Sequence, residues 1–246
     1  MTQSAFDPTG LQIREGLARE VERAWSRIGA PGTWWTGAER VAIAAEVRNA
    51  PSCALCQQRK AALSPYRVNG VHDSLGALAA PVVDVVHRIT TDAGRLKRSW
   101  VRDVLDAGLT EERYVEAVGV IALVTALDTF ERALGRTARP LPAPQAGAPS
   151  ERRPAGAKLD LAWVHTVAPQ DLTPEDPDPY SVHGEKNIHR ALSLVPQEVF
   201  NFFDLDVELY LKDHEIRAFD REPRALTHAQ MELLAARVSA LNDCYY

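Results

Sequence analysis

Residues 36–63 read TGAERVAIAAEVRNAPSCALCQQRKAAL, and this stretch decides the fold. Thr36 and Glu39 have the spacing of a capping box, in which each side chain closes the first turn of a helix. The alanine-rich sequence behind them predicts a helix over residues 36–49. A second helix should begin at the first cysteine and cover residues 53–63, where Ser-Pro stops it. Two cysteines are therefore expected in the first turn of a helix.

The rest of the chain shows the 3.6-residue periodicity of helices rather than the alternation of strands. We expect further helices over residues 11–28, 75–91, 95–106, 110–134, 185–194, 196–212 and 227–241. Pro81 should lie in the first turn of its helix or kink it. Gly135 follows the longest pattern and is suited to the left-handed conformation that ends many helices. The predicted fold class is all-α.

Composition and charge exclude several classes of protein. The chain has 246 residues, of which 46% are hydrophobic, and a formal charge of −5. A negative chain is a poor ligand for nucleic acid or an anionic membrane surface, so neither is an expected partner. No run approaches the roughly 18 apolar residues that span a bilayer, and no secretory signal is visible. Three cysteines are too few for a disulfide scaffold, so a cytoplasmic protein is expected.

The composition changes in the middle of the chain. Residues 138–158 combine alanine and glycine with several prolines, which are Pro140, Pro142, Pro144, Pro149 and Pro154. Such a segment is typical of a linker. We therefore predict a helical unit over residues 1–137, a linker over 138–158 and a second unit over 159–246.

An internal repeat supports two related units. Residues 227–244 read THAQMELLAARVSALNDC and align without gaps with residues 36–53, matching at the threonine, three alanines, a valine and the cysteine. Both copies begin with a capping box, which is Thr227 with Gln230 in the second. The second copy ends two residues after Cys244, so we expect it to be incomplete.

Cys53 and Cys56 are the leading candidates for chemistry. The positive end of the helix dipole stabilises a thiolate, and two cysteines at this spacing can form one disulfide. Arg59 and Lys60 should lie on the same helix face as Cys56 and lower its pKa further. Glu46 precedes Cys53 by seven residues and could relay a proton.

Two other interpretations of the CxxC remain open. It could be half of a zinc site completed by His72 and His87, although the spacing matches no zinc-finger pattern. It could also be a pair of buried structural cysteines. A local contact between His87 and Asp84, three residues earlier, is a further expectation. The helix-start position and the nearby basic side chains favour redox chemistry over both alternatives.

The sequence ELLAARVSALNDCYY over residues 232–246 resembles the approach to the active site in the AhpD-like alkylhydroperoxidase family, which is related to carboxymuconolactone decarboxylases. That family carries a glutamate, an alanine-rich helix and then C-x-x-C-x-x-x-H. The resemblance implies an all-helical, oligomeric protein that reduces peroxides with a dithiol and holds no metal or organic cofactor. In the family the second cysteine attacks peroxide, the first resolves the sulfenic acid, and the histidine and glutamate relay protons.

Carried over to residues 36–63, the resemblance makes Cys56 the attacking thiol and Cys53 the resolving one. The sequence departs from the family in two places, because Lys60 stands at the histidine position and Val41 at the glutamate position. Other side chains would have to relay protons, and the candidates are Glu46, His72 and His87. The second copy keeps Glu232 and Cys244 as counterparts.

The resulting expectation is a thiol-dependent peroxidase that uses a peroxide and an external thiol reductant or disulfide reductase. It would assemble as a homo-oligomer or as an internal pseudo-dimer of its two units. Two alternatives stay open: a lyase or isomerase like the carboxymuconolactone decarboxylases, and a non-catalytic redox sensor or metal-binding protein.

Overall fold

The computed structural model describes residues 11–242 and residue 244. The helices are α1 Glu15–Gly29, α2 Gly37–Asn49, α3 Ala54–Ala61, α4 Ala80–Asp92, α5 Arg98–Asp106, α6 Glu111–Ala133, α7 Tyr180–His183, α8 Asn187–Arg190, α9 Pro196–Leu209, α10 Asp213–Ile216 and α11 His228–Leu241. Among these described residues there is no strand, and one isolated bridge joins Lys158 to Thr166. The all-α prediction is confirmed. None of the helices is long and apolar enough to cross a membrane.

The capping residues form the bonds predicted for them. The Glu39 N–H donates to the Thr36 hydroxyl, and the Thr36 N–H donates to the Glu39 carboxylate at 2.9 Å. Thr227 and Gln230 repeat this pattern at the start of α11. At the end of α6, Gly135 has a φ of 71°, where a Cβ would be strained.

The predicted helix over residues 75–91 is wrong at its start. Residues 68–79, called here the 68–79 loop, form no helix, and α4 begins at Ala80 with Pro81 in its first turn. Proline is tolerated in the first turn of a helix, where its missing N–H would have no partner within the helix, so Pro81 is compatible with this start. The Leu75 N–H donates instead to the Glu46 carboxylate at 3.1 Å. The loop is therefore attached to α2.

The region predicted as a helix over residues 185–194 is also different. Only Asn187–Arg190 is helical there, as α8. The Ser193 hydroxyl donates to the Arg190 carbonyl and accepts from the Val167 N–H at 2.8 Å. Since this serine bonds to the last carbonyl of α8 and to the backbone of the distant Val167, it favours a turn over continued helix.

The core is built around α6. Its buried apolar side chains include Val120, Leu123 and Val124, and they pack in one cluster with side chains from α1, α2, α4, α5 and α9. A helix surrounded by other helices needs apolar residues on most of its faces. Val199 and Phe203 of α9 belong to the same cluster, so the core crosses the predicted boundary between units. The division into two related units stays a prediction.

The proline-rich segment runs without helix or strand from residue 138 to 158. The Gln145 N–H donates to the Gly29 carbonyl, and the Glu151 N–H donates to the Thr33 carbonyl, each at 2.8 Å. The segment therefore contacts the end of α1 and the turn into α2.

A buried ion cluster joins α2, α6 and α9. Nη1 of Arg40 lies 2.5 Å from Glu116 Oε1 and 2.7 Å from Glu198 Oε1, and these side chains are almost completely buried. Two glycines leave room for the carboxylates, because a Cβ at Gly32 would overlap Glu116 and one at Gly119 would overlap Glu198. Charges in such a place are tolerated only when they are paired.

Candidate functional site

Cys53 and Cys56 lie at the start of α3. Cys53 is the residue that precedes the helix, and its side chain does not cap the first turn. Asp73 of the 68–79 loop takes that role, since its Oδ2 accepts from the Ala54 N–H at 2.7 Å. The Asp73 N–H donates to the Cys53 sulfur at 3.4 Å. Cys53 and Cys56 are free thiols with only 0% and 3% of their surface exposed.

His87 of α4 links Cys56 to Glu46 of α2. Its Nδ1 lies 3.2 Å from the Cys56 sulfur, and its Nε2 lies 2.7 Å from Glu46 Oε1. Asn49 donates to the same carboxylate oxygen at 2.9 Å, and the Leu75 N–H holds the other one. The imidazole is thus fixed at both nitrogens in a buried position.

His72 of the 68–79 loop approaches both sulfurs from the other side. Its Nδ1 lies 3.4 Å from the Cys56 sulfur and 3.6 Å from the Cys53 sulfur. Its Nε2 lies 2.8 Å from Asp84 Oδ1. Trp100 donates to the other Asp84 oxygen at 2.5 Å, and Arg59 lies 3.1 Å from Oδ1. Two imidazoles, each backed by a carboxylate, therefore face Cys56.

The imidazoles make the buried thiols acidic. Burial opposes a thiolate, but the hydrogen bonds from His72 and His87 outweigh it and lower the pKa of Cys56 to about 6. The pKa of Cys53 is also lowered: burial again opposes the charge, and backbone N–H groups and His72 reverse the effect. At neutral pH Cys56 is a thiolate.

The pKa values of the partner side chains shift in the directions that favour charged imidazoles and a charged carboxylate. Burial opposes an imidazolium, but Asp84 and Cys56 raise the pKa of His72 to about 10. The pKa of His87 is raised despite burial by its bonds to Cys56 and Glu46. Burial would raise the pKa of Asp84, yet His72 and Trp100 hold it well below its usual range.

The geometry permits two kinds of chemistry. The thiolate of Cys56 could act as a nucleophile, with the imidazoles moving protons. The donor atoms could also hold a metal ion, because the sulfurs of Cys53 and Cys56 and one nitrogen each of His72 and His87 all lie within 4.8 Å of one another. We call these four residues the Cys–His cluster.

The structure brings together Cys53, Cys56, Glu46, His72 and His87, and it places the other predicted site residues elsewhere. The Lys60 ammonium donates to the Thr91 carbonyl at 2.9 Å and not to the site. Lys60 is one position further round α3 than Arg59, which does reach Asp84. Glu232 accepts from the Tyr210 hydroxyl, and Cys244 is exposed.

The predicted contact between His87 and Asp84 is wrong. Asp84 bonds to His72, and both nitrogens of His87 are occupied by Cys56 and Glu46. Asp73 and Trp100 were missed as site residues. One signal for Asp84 was available, because it stands as a lone charge in the apolar run VVDVV over residues 82–86.

No model of a protein family, no curated protein and no solved structure matches this chain. The function is therefore inferred from the chemistry of the site itself.

Proposed function

We propose that this chain is a thiol-dependent peroxidase that cycles Cys53 and Cys56 between dithiol and disulfide. The observation that supports this most is the contact of the buried Cys56 sulfur with two imidazoles, one backed by Glu46 and the other by Asp84. In the alkylhydroperoxidase pattern a histidine and a glutamate relay protons. His87 and Glu46 are suited to that role from different positions in the chain.

The first step is attack on the peroxide. The Cys56 thiolate attacks one oxygen of the hydroperoxide, the O–O bond breaks, and Cys56 becomes a sulfenic acid. The departing hydroxide, or the alkoxide when the substrate is an organic hydroperoxide, takes the Nδ1 proton of the His72 imidazolium and leaves as water or an alcohol. The His87 imidazolium, held by Glu46, stabilises the thiolate before attack.

The second step forms the disulfide. Cys53 transfers its proton to His72, whose Nδ1 lies 3.6 Å away. The Cys53 sulfur attacks the Cys56 sulfur, and the displaced hydroxide takes that proton and leaves as water. An external dithiol then supplies two electrons and two protons and restores the starting state. The third cysteine, Cys244, is exposed whereas the pair is buried, and we assign the role of reductant to a separate molecule.

Access to Cys56 favours small substrates. The sulfurs are covered by the 68–79 loop, while His72 and Asp84 are partly exposed at its edge. A peroxide would enter there, where it meets the proton donor. We therefore expect hydrogen peroxide to react faster than a bulky organic hydroperoxide.

The test is a reaction of the reduced, metal-free protein with limiting hydrogen peroxide, followed by mapping of disulfides by mass spectrometry. A Cys244→Ser background removes the exposed thiol. We expect rapid formation of a Cys53–Cys56 disulfide, no disulfide in Cys56→Ser, and a trapped sulfenic acid on Cys56 in Cys53→Ser. Thiols that react no faster than free cysteine would rule out the proposal.

A further inference from the structure

We infer that the Cys–His cluster is also a tetrahedral binding site for one divalent zinc-like ion. The ligands would be the sulfurs of Cys53 and Cys56 and the Nδ1 atoms of His72 and His87. This follows from the distances between donor atoms, from the number of acceptors around His72, and from the carboxylates behind both imidazoles.

The distances fit the edges of a zinc tetrahedron. With zinc–sulfur bonds of about 2.3 Å and zinc–nitrogen bonds of about 2.0–2.1 Å, sulfur and nitrogen ligands lie about 3.6 Å apart. The observed separations are 3.6 Å between Cys53 and His72, 3.4 Å between Cys56 and His72, and 3.2 Å between Cys56 and His87. These three edges lie within a few tenths of an ångström of the tetrahedral value, and all four donor atoms lie within 4.8 Å of one another.

The arrangement around His72 is suited to a bound ion. Its Nδ1 carries at most one hydrogen but faces two sulfurs at nearly equal distances. A single hydrogen shared between two sulfurs gives each of them only part of a hydrogen bond. A shared ion at the centre of the four atoms would satisfy all of them.

The outer contacts are those of metal-ligating histidines. Both imidazoles present Nδ1 to the cluster and Nε2 to a carboxylate, which is Asp84 for His72 and Glu46 for His87. Such a carboxylate holds the ring in the tautomer whose free nitrogen lone pair faces the metal. The Asp73 N–H, which donates to the Cys53 sulfur, is a further contact that supports a ligand from outside the cluster.

The donor set selects the ion. Two thiolates and two imidazoles in a tetrahedron suit zinc and exclude magnesium or calcium, which require oxygen ligands. The two thiolates would neutralise the ion. Because all four protein ligands would be used, bound zinc would have no open position for a substrate.

Zinc and peroxide would therefore compete for Cys56. A coordinated thiolate is less nucleophilic than a free one, and its lone pairs are shared with the ion. This consequence rests on the proposed peroxidase function, whereas the metal site itself does not. Zinc would keep the thiols reduced and inactive, and its removal would release the reactive pair.

The experiment uses full-length protein with Cys244→Ser, reduced and stripped with a chelator. Zinc or cobalt(II) is added at one equivalent, and the retained metal is measured after desalting. We expect one ion per chain, and with cobalt the visible absorption of a tetrahedral site with thiolate-to-metal charge transfer in the near ultraviolet. Less than half an equivalent retained, or the spectrum of octahedral cobalt, would overturn the metal site.

Variants locate the ion. Cys56→Ser should weaken zinc binding at least about 100-fold, and Asp84→Asn, which leaves all four ligands, about 10- to 100-fold. Glu232→Gln should have no effect. His72→Asn changes a partly exposed loop residue, so it reports on the site even if a buried variant does not fold. Unchanged affinity in both Cys56→Ser and His72→Asn would place the ion elsewhere and overturn the assignment.

A final comparison separates the two proposals. The zinc-loaded protein should form the Cys53–Cys56 disulfide at least tenfold more slowly than the metal-free protein. If the protein bound one equivalent of zinc but its metal-free thiols did not react with peroxide, the metal site would be supported and the peroxidase function would be ruled out. If the thiols reacted but no metal bound, the peroxidase function would be supported and the metal site ruled out. Equal rates of disulfide formation with and without bound zinc would refute the competition between zinc and peroxide.

Discussion

Cys56 shows how a buried sulfur can carry charge. Removal from water raises the pKa of a thiol, because the protein interior solvates an anion poorly. Here His72 and His87 contact the sulfur and reverse the effect, giving a pKa of about 6. Neither Arg59 nor Lys60 contacts the sulfur, so the predicted cationic partners are replaced by imidazoles.

Loss of the Glu46 charge should slow oxidation of Cys56. In Glu46→Gln the pKa of His87 would fall toward its ordinary value, since the carboxylate that stabilises its imidazolium is gone. We expect the rate of disulfide formation with hydrogen peroxide at neutral pH to fall about 10- to 100-fold. Rapid-mixing measurements of the intrinsic fluorescence change, calibrated by trapping of thiols, would give the rate.

The control for this prediction is Glu232→Gln, the counterpart glutamate in the predicted second unit. It lies away from the site and should change the rate less than twofold. Equal losses in the two variants would contradict a specific role for Glu46.

The residue types of the site could be found from the sequence, but their pairing could not. The sequence alone marks the CxxC motif, Glu46 and the two histidines as candidates. Which histidine meets which carboxylate depends on contacts over tens of residues, as between Glu46 and His87. Helical spacing favours a contact between Asp84 and His87. In the structure His87 contacts Glu46 and Asp84 contacts His72, and both of these partners are more distant in sequence.

At the scale of elements, the hydrophobic periodicity wrongly predicts helix from residue 75, within the 68–79 loop. Apolar residues such as Leu75 and Leu78 continue the pattern of α4, but Leu75 is exposed and its N–H bonds to Glu46. Proline at the start of α4 and side-chain acceptors on neighbouring helices determine the loop. These acceptors are distant in sequence, so local propensity carries no information about them.

Asp73→Ala should loosen the loop and destabilise α3. The substitution removes the side chain that caps the first turn of α3, at the Ala54 N–H. We expect a loss of about 1 kcal/mol in the free energy of unfolding, measured by urea denaturation, together with faster alkylation of Cys53 by iodoacetamide.

Ser74→Ala is the matched control, because the Ser74 hydroxyl accepts from the Gly76 N–H within the same loop and does not cap α3. It should leave both stability and alkylation nearly unchanged. If Asp73→Ala behaved like Ser74→Ala, the loop would not depend on this cap.

The helices α2 and α11 begin with the same local motif but have different surroundings. Both begin with the capping box expected from their sequences. Yet α2 is packed between α1, α4 and α6, whereas Leu233, Leu234 and Val238 of α11 are exposed. A cap depends on four neighbouring residues, and the surroundings of a helix depend on the rest of the chain.

For the whole molecule, the ion cluster of Arg40, Glu116 and Glu198 predicts a dependence of stability on pH. Burial and the nearby Glu198 raise the pKa of Glu116 to about 7, although Arg40 opposes the change. Between its ordinary pKa and about pH 7, Glu116 is protonated in the folded state and ionised in the unfolded state. Folding binds a proton in this window, so this contribution to stability is full at low pH and is lost as pH rises through about 7.

Glu116→Gln should flatten this dependence, because the amide stays neutral. We expect the wild-type free energy of unfolding to fall relative to that of the variant between about pH 5 and pH 8. Urea denaturation of both proteins across this range tests the prediction. Parallel curves would show that Glu116 does not take up a proton on folding.

The junction of α6 with α9 should be intolerant of a methyl group. A Cβ on Gly119 would lie 2.6 Å from Glu198 Oε2 and 2.9 Å from its Cβ and Cγ. These atoms are close to the backbone of α9 and cannot swing away. We expect Gly119→Ala to lower the free energy of unfolding by about 1–3 kcal/mol, despite the better helix propensity of alanine.

Gly16→Ala is the comparison, because its Cβ would meet only the far end of the Glu208 side chain. That carboxylate can rotate, so the variant should be neutral or slightly more stable. Thermal denaturation of the two variants would distinguish them, and equal stability would contradict the packing argument.

The ion cluster has a consequence for the continuity of the polypeptide. Arg40 precedes residues 138–158 in the sequence, and Glu198 follows them. Arg40 is paired with Glu198 and also with Glu116. Separating the halves would expose the apolar faces of α6 and α9 and leave Glu198 without its cation. Cutting the backbone between residues 138 and 158 should therefore leave a nicked, non-covalent heterodimer. If one fragment ends within residues 138–158 and a second, separately expressed fragment begins there, the two should reconstitute the protein on mixing.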